Sequence, residues 1–309
     1  MSPRDPILVT RCTAYRTLEL ADLCSMRILL SVAILISAHG THLRTPLFMH
    51  ELPAELVEVS GLTDVSDTSV ACLQDEEALL YLLDVHDGTV MERHRFGPPG
   101  DMEGLTRVKD GFYALRSDGL VYHLRKARSG YALADTFRLR LPNRDIEGLG
   151  YDEARGVVLV APKDVLKGDP QLRDRRQLFA FDPHTHQLLP EPVLSYTLSG
   201  ILQQARDAGI TIPVRTTPKG RQVPELKLRM ASVAVDPVTD HYVILSATDR
   251  TLLVLDREGR FVHLYFLDPD RLPKPEGLTF LPDGRMLIAS EGRNGPARLL
   301  GYSGLGLQH

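Results

Sequence analysis

The sequence predicts an all-β fold in which one small sheet repeats around a ring. The composition is the first observation: 24 Gly, 21 Pro, 6 % aromatic residues and no Trp are typical of short strands joined by tight turns. The second is a recurring phrase with Gly or Ser at positions 61, 104, 148, 232 and 277. Its spacing of about 44 residues, with one gap of about 84, matches four-stranded blades. We therefore expect a five-bladed β-propeller.

Composition also excludes several classes of protein. The chain has 309 residues, of which 43 % are hydrophobic and 25 % are charged, as in ordinary globular proteins. Its 40 acidic residues slightly outnumber its 36 basic residues, so we expect no nucleic-acid partner. Three cysteines cannot form a disulfide framework, and we expect Cys72 to be a buried strand residue.

The first forty residues have the pattern of a targeting segment. Met26-Arg27 precedes an apolar run at 28–37, and Ala38-His39-Gly40 offers the small residues of a signal-peptidase site. The run is shorter than the roughly 20 residues that a membrane-spanning helix needs. We therefore assign 1–40 to an N-terminal extension and signal peptide starting at Met26, and 41–309 to the propeller. The protein would then be periplasmic or secreted. The alternatives are a buried strand and an uncleaved anchor, the latter being the only expected contact with a membrane.

The repeated phrase marks the start of the first strand in each blade. Its five copies are Glu58–Leu62, Met102–Leu105, Ile146–Leu149, Met230–Ala234 and Pro275–Leu278. A turn and a short apolar strand follow each copy, as in Phe112–Leu115 and Val157–Ala161. A third strand such as Leu79–Asp84 comes next, and Asp-Gly turns lead into the fourth. Each copy is thus expected to open one four-stranded blade.

Two segments lie outside the regular repeat. The last blade ends about one strand short, so we expect Arg44–Leu52 to supply its missing strand and to close the ring. The long gap predicts one partly helical insertion at about 185–228, with a helix in Ser199–Gly209 because apolar residues recur there at helical spacing.

Acidic residues recur at one end of the first two strands of the blades. The first strand starts where the second ends, so about nine carboxylates should converge near one mouth of the channel. Those at the start of the first strand are Glu58, Glu103, Glu147 and Glu276. Those at the end of the second strand are Asp75, Asp118, Asp164, Asp249 and Glu291.

Crowded carboxylates need positive charge, because they repel one another and raise each other's pKa. Lys163 and Arg116 are nearby but too few. Oxygen ligands without Cys or a His cluster suit Ca²⁺ or Mg²⁺. We predict a site for a divalent cation, calcium before magnesium, with the ligands Glu58, Glu103, Glu147, Glu276 and Asp75. The alternative is architectural: the Gly would allow close packing, and the Glu would bind N–H groups of the neighbouring blade.

Taken in order, the phrases resemble those of the SdiA-regulated, YjiK-like family of bacterial envelope proteins. The matching segments are Glu58–Leu62, Gln74–Glu76, Asp101–Leu105, Glu147–Leu149, Leu245–Asp249 and Pro275–Leu278, within a likeness that spans about 50–302. The resemblance implies a calcium-binding five-bladed propeller, often behind a signal peptide or anchor, with no established reaction. The chain departs from the family's pattern in two places. Ala231-Ser232 replaces the usual Ser-Gly of the fourth blade, and the insertion at about 185–228 is long.

Three functions remain open at this point. The first is a monomeric calcium-binding module that presents the channel face to a small-molecule or protein ligand. The second is a calcium-dependent hydrolase, lactonase-, esterase- or phytase-like, in which the metal polarises an oxygen and Asp249 or Glu291 acts as base. A phosphate substrate would need cations, for which Lys163, Arg250 and Arg293 are available. The third is a scaffold without a ligand.

Overall fold

The computed structural model describes residues 41–306, which form five four-stranded antiparallel sheets arranged as the blades of a β-propeller. Blade 1 contains β2 (Val59–Ser66), β3 (Ser69–Gln74), β4 (Leu79–Asp84) and β5 (Val90–Arg95). Blade 2 contains β6 (Met102–Val108), β7 (Gly111–Arg116), β8 (Leu120–Lys126) and β9 (Tyr131–Arg138). Blade 3 contains β10 (Ile146–Asp152), β11 (Val157–Pro162), β12 (Arg175–Phe181) and β13 (Leu194–Thr197). Blade 4 contains β16 (Ser232–Val235), β17 (Tyr242–Ser246), β18 (Thr251–Leu255) and β19 (Phe261–Phe266), and blade 5 contains β20 (Pro275–Phe280), β21 (Met286–Ser290), β22 (Arg298–Tyr302) and β1 (Phe48–Glu51).

Nearly continuous apolar runs bury the second strands between neighbouring blades. Every residue of the second strands β11, β17 and β21 is buried, and the second strands β3 and β7 each have one residue that is only partly buried. The turns between strands follow the sequence signals: Gly88 and Gly284 adopt φ values of 76° and 87°, which glycine adopts without strain. Each hydrophobic cluster joins side chains from adjacent blades, so the core consists of the layers between blades.

The first strand of each blade lines the channel, and these strands pack in ring order β2, β6, β10, β16, β20 and back to β2. The phrase glycines make this close approach possible. A Cβ atom on Gly61 would lie 2.5 Å from the amide nitrogen of Leu105, and one on Gly277 would lie 2.8 Å from the carbonyl oxygen of Ser60. Since real Cβ atoms do not approach so closely, the glycines set the distance between neighbouring first strands.

The ring closes with a strand from the other end of the domain. β1 pairs antiparallel with β22, in the register Phe48 to Gly301 and Glu51 to Arg298. This pairing confirms the expectation that Arg44–Leu52 supplies the missing strand. Blade 5 therefore contains both the first and the last strand of the described chain, and a short 3₁₀ helix, Ala54–Leu56, leads from β1 into blade 1.

The insertion between blades 3 and 4 starts later than predicted. Residues 194–197 form β13, which pairs with β12, so the beginning of the predicted insertion at about 185–228 belongs to blade 3. A four-residue strand after a long loop carries too little pattern to be found in the sequence. A short helix α1 (Pro170–Asp174) precedes β12. The insertion itself contains the helix α2 (Leu198–Asp207) and a hairpin of β14 (Val214–Thr216) and β15 (Gln222–Pro224).

The helix α2 confirms the helical part of that prediction. Thr197 Oγ1 accepts a hydrogen bond of 3.1 Å from the amide of Gly200, which caps the helix start. Ile201 and Ala205 pack into the layer between blades 3 and 4. The predicted signal peptide and start at Met26 lie outside the described residues. Cys72 is buried in β3, as expected, and forms no disulfide within residues 41–306. Within residues 41–306, no helix is long and apolar enough to cross a membrane.

Candidate functional site

Three phrase glutamates occupy β-bulges at the start of a first strand. In blade 2 the register moves from the pair Met102 and Arg116 directly to the pair Gly104 and Leu115, which leaves Glu103 without a partner on β7. The same irregularity occurs at Glu147 and at Glu276. A bulge places one extra residue outside the ladder and changes the direction of its side chain. The repeated phrase thus gives three blades the same displaced glutamate.

Glu147 is the most deeply buried of these side chains, with the residue 2 % exposed. Lys163 Nζ donates to its Oε1 atom. Its Oε2 atom is buried and has no hydrogen-bond partner within the described chain. Burial, and then the negative charge of Glu276, raise the pKa of Glu147 to about 8 against the opposing effect of Lys163.

Glu103 and Glu276 share the same surroundings. Burial raises the pKa of Glu103 to about 9, followed by the charges of Glu147, Asp101 and Glu276. Glu103 forms no ion pair with another residue in 41–306. Glu276 is 8 % exposed, and Lys274 Nζ lies 3.3 Å from its Oε1 atom. Burial raises the pKa of Glu276 although Lys274 and Lys163 lower it. The three glutamates therefore lie close enough to disfavour each other's charge.

A second group of acids lies beside them, where blades 5 and 1 meet. Burial, and then the charges of Glu58 and Glu291, raise the pKa of Asp75 to about 7. Lys274 contacts Glu291 as well as Glu276, so it joins the two groups. We call the whole set the carboxylate cluster: Glu58, Asp75, Glu103, Glu147, Glu276 and Glu291, with Lys163 and Lys274. All five predicted metal ligands are in it.

The cluster is smaller than the expected nine carboxylates, because three second-strand acids have other partners. Asp118 forms ion pairs with Arg116 at 2.7 Å and with Arg138 at 3.0 Å. Arg116 therefore does not neutralise the cluster. Asp164 accepts a hydrogen bond of 3.0 Å from Asn143 Nδ2. Such contacts near the surface are those of solvated turn residues.

Asp249, one of the two candidate bases, holds the end of the insertion. Its carboxylate accepts from the amides of Lys227 at 3.0 Å and Leu228 at 2.6 Å, and from Ser246 Oγ at 2.8 Å. Leu228 has a φ of 48°, an uncommon conformation for leucine that these bonds help to maintain. The other candidate, Glu291, lies in the carboxylate cluster, paired with Lys274.

Lys274 is the basic residue of the cluster that the sequence analysis did not predict. It stands two residues before Glu276, in the segment Pro273-Lys274-Pro275-Glu276. Its closeness in sequence to a phrase glutamate was the available signal. Among the proposed phosphate ligands, Lys163 belongs to the cluster. Arg250, with a φ of 50°, lines a separate depression beside Lys227.

The carboxylate cluster offers oxygen donors, which are the ligands that a hard metal ion requires. Within residues 41–306, no three His, Cys, Asp or Glu side chains already stand as a ligand group. The donors that meet in the cluster are nevertheless all carboxylates, which are the ligands of hard cations. Six carboxylates face two lysines there, and the Oε2 atom of Glu147 has no partner. The donor chemistry therefore fits a hard divalent cation.

Comparisons with known proteins bear on the fold. No family model matches the sequence. No curated protein matches it either. Among solved structures, the chain is similar to the glutaminyl cyclase of Myxococcus xanthus, with a TM-score of 0.55 and 13 % identity over 83 % of this chain and 94 % of that one. A streptogramin B lyase aligns with a TM-score of 0.45 and 13 % identity, over 82 % of this chain and 97 % of that one. The likeness to the cyclase supports the β-propeller fold.

Proposed function

We propose that this protein is a ligand-binding β-propeller whose carboxylate cluster binds a divalent cation, calcium in preference to magnesium. One observation carries the proposal: the buried Oε2 atom of Glu147 has no partner. A buried acceptor without a partner costs about 1–3 kcal/mol, and more when it is charged. A bound cation would remove this cost.

The donors suit calcium better than magnesium. Calcium takes six to eight oxygen ligands in variable geometry, whereas magnesium requires a near-ideal octahedron. Glu103, Glu147 and Glu276 would hold the ion, with Asp75 and Glu58 at its side. The bound ion would supply a positive charge at the channel mouth, and a ligand carrying oxygen atoms could be oriented by it.

The two lysines define the state of the cluster without the ion. Lys163 and Lys274 each neutralise part of the acidic charge. Calcium must compete with these ammonium groups and with the protons held by Glu103 and Glu147. Binding is therefore expected to release protons and to strengthen as the pH rises.

A binding role is favoured over hydrolysis because both candidate bases have partners: Asp249 accepts from two amides and a serine hydroxyl, and Glu291 is paired with Lys274. The resemblance of the phrases to the SdiA-regulated family supports calcium as the ion. The segment at 28–37 supports a periplasmic or secreted location. The ligand presented to the channel face would be a small molecule or a protein.

Isothermal titration calorimetry of the purified chain with calcium, and then with magnesium, tests the proposal. The protein is first stripped with EDTA. Glu147→Gln and Glu276→Gln should each weaken calcium binding at least tenfold, because each removes a charged ligand. Asp118→Asn is the matched control, since this acid ends a second strand but pairs with arginines. Absent calcium binding in the wild type, or unchanged affinity in both glutamine variants, would refute the proposal.

A further inference from the structure

The hairpin of the insertion between blades 3 and 4 is strongly basic. Residues 213–227 contain one acidic residue, Glu225, against four basic ones: Arg215, Lys219, Arg221 and Lys227. The whole chain has a net charge of −4, so this excess of positive charge is local. The strands β14 and β15 pair in register, and the amide of Thr217 donates to Arg221 O at 2.9 Å to close the turn. The cations are therefore carried by an ordered hairpin.

The hairpin projects into solvent without charged partners. Between residues 213 and 222, every residue except Thr217 is exposed. None of its four basic side chains forms an ion pair within residues 41–306. On the outer strand β5 of blade 1, by contrast, Arg93 and Arg95 contact Glu55 and Glu77. The charge of the hairpin is thus available to a partner outside the protein.

A depression of about 380 Å³ lies between the hairpin and blade 4. Arg215 and Lys227 line it on the hairpin side, and Arg250 lines it on the side of blade 4. Its acidic residues are Glu225 and Asp249, of which Asp249 already accepts from two amides and a serine hydroxyl. Positive charge therefore prevails in the depression as well as on the hairpin.

An apolar side chain stands among these cations. Val214 is 59 % exposed and precedes Arg215 in β14. Proteins that bind at the surface of a membrane combine buried apolar area with electrostatic attraction to anionic lipids. A soluble acidic partner would use the charges alone, so the exposed valine favours a lipid surface.

The described chain enters the propeller beside the same depression. The amide of Phe266, at the end of the outer strand β19, donates to Thr41 O at 2.8 Å, and Phe266 lines the depression. In the sequence, residues 38–40 separate Thr41 from the apolar run at 28–37. If that run is kept as an anchor, it is joined to the propeller at its basic edge.

We propose that this basic surface, formed by the hairpin 213–227 and Arg250, binds the anionic headgroups of a phospholipid membrane. The basic side chains contact lipid phosphates, and Val214 enters the headgroup region. Among the residues described in 41–306, none of the carboxylate cluster lines the depression. The contact therefore does not need the cation proposed for that cluster.

Cosedimentation of the purified chain with vesicles, in the presence of EDTA, tests the proposal. Vesicles of phosphatidylcholine with about 30 % phosphatidylglycerol should bind the chain at least about tenfold more tightly than vesicles of phosphatidylcholine alone. About 0.5 M NaCl should remove this difference, because salt screens exposed charges. The neutral vesicles measure any binding by the apolar run itself.

A matched pair of double variants locates the contact. Lys219→Gln combined with Arg221→Gln should weaken binding to the anionic vesicles about 25-fold, since each basic residue near such a surface contributes about fivefold. Lys126→Gln combined with Arg128→Gln is the control, because it removes an exposed Lys-x-Arg pair from the end of β8 in blade 2. The control should bind as tightly as the wild type.

Tryptophan fluorescence provides a second readout, because the chain contains no tryptophan. Val214→Trp should show a blue shift of its emission on anionic vesicles and a smaller one on neutral vesicles. Val238→Trp is the control: Val238 is 60 % exposed in the turn between β16 and β17, outside the basic surface, and its emission should not shift.

Three results would each overturn the proposal: equal affinity for the two kinds of vesicle, equal loss of affinity in the two double variants, or an unchanged emission of Val214→Trp on anionic vesicles. Retention of the chain on immobilised polyglutamate, together with no affinity for anionic vesicles, would overturn it in favour of an acidic protein partner.

Discussion

A Cβ atom on Gly104 would lie 2.7 Å from the carbonyl oxygen of Glu147 in the next blade. The two blades therefore meet backbone to backbone at the point where the glutamates enter the cluster. Glu103 precedes this glycine directly, so the same close approach fixes its position relative to Glu147. The glycine of the phrase sets the distance between neighbouring first strands, and this distance brings the glutamates of the phrase close together.

Gly104→Ala should destabilise the protein. The added methyl group must displace the backbone of blade 3, and overpacking of this kind costs about 1–3 kcal/mol. Urea unfolding measures the change in the free energy of unfolding. Gly295→Ala is the control, because nothing lies within 4 Å of its added Cβ atom. Equal stability of the two variants would mean that the first strands are not held at this distance.

Lys163→Gln should make stability more sensitive to pH. The change removes the ammonium that contacts Glu147, so the cation-free variant should lose about 1 kcal/mol at pH 9, a small value because Lys163 is partly exposed. Near pH 5 the loss should shrink, because Glu147 then holds a proton. Saturating calcium should reduce the loss at pH 9. Lys219→Gln, an exposed change in the insertion, is the control; a loss independent of pH would contradict this account.

The cation-free protein should lose stability as the pH rises from about 5 to about 9. The ordinary pKa of a glutamate is 4.5, and in the folded state it is about 9 for Glu103 and about 8 for Glu147. The folded state thus holds protons that the unfolded chain releases. This contribution is complete below the unfolded pKa and is lost as the pH passes through the folded values.

Urea unfolding in EDTA at pH 5, 7 and 9 measures this decline. Glu103→Gln and Glu147→Gln should each flatten it, because glutamine does not titrate. Glu92→Gln, an exposed change on β5, should leave the decline as in the wild type. If the glutamine variants retain the full decline, other groups are responsible for it.

Asp249→Ala should release the end of the insertion. The variant loses three accepted hydrogen bonds, with an expected cost of about 1–3 kcal/mol. Trypsin should then cleave faster after Lys227 and Arg229. Asp87→Ala, in an exposed turn, serves as the control. Cleavage as slow as in the wild type would show that the insertion is held by other contacts.

Much of the fold follows from local signals in the sequence. The strand Leu79–Asp84 has the predicted bounds, because turn residues on both sides limit it. The spacing of the phrase likewise placed Glu103, Glu147 and Glu276 at one mouth of the channel. These inferences need only the period of the repeat and the alternation of strands.

The contacts within the cluster could not be predicted in this way. The bulge at each phrase depends on the register with the second strand, which the sequence does not state. Lys274 contacts both Glu276 and Glu291, and its carbonyl oxygen accepts from the amide of Glu291 beside the strand pair Pro275 and Ser290. Asp249 has the spacing of a cluster acid, but the insertion occupies its carboxylate. Such side-chain contacts depend on segments that differ from blade to blade, so the sequence repeat does not predict them.

Because β1 pairs with β22, the propeller cannot close until almost the whole domain has been synthesised. About 250 residues separate these strands, and a ribosome adds roughly 5–20 residues each second. Residues 48–51 must therefore wait roughly 10–50 s for their partner during synthesis. Throughout that interval the growing chain has an unfinished ring and a free strand edge. Chaperones that shield nascent strands, and a secretion route that delays folding until the whole chain is available, would both be of most use to a protein closed in this way.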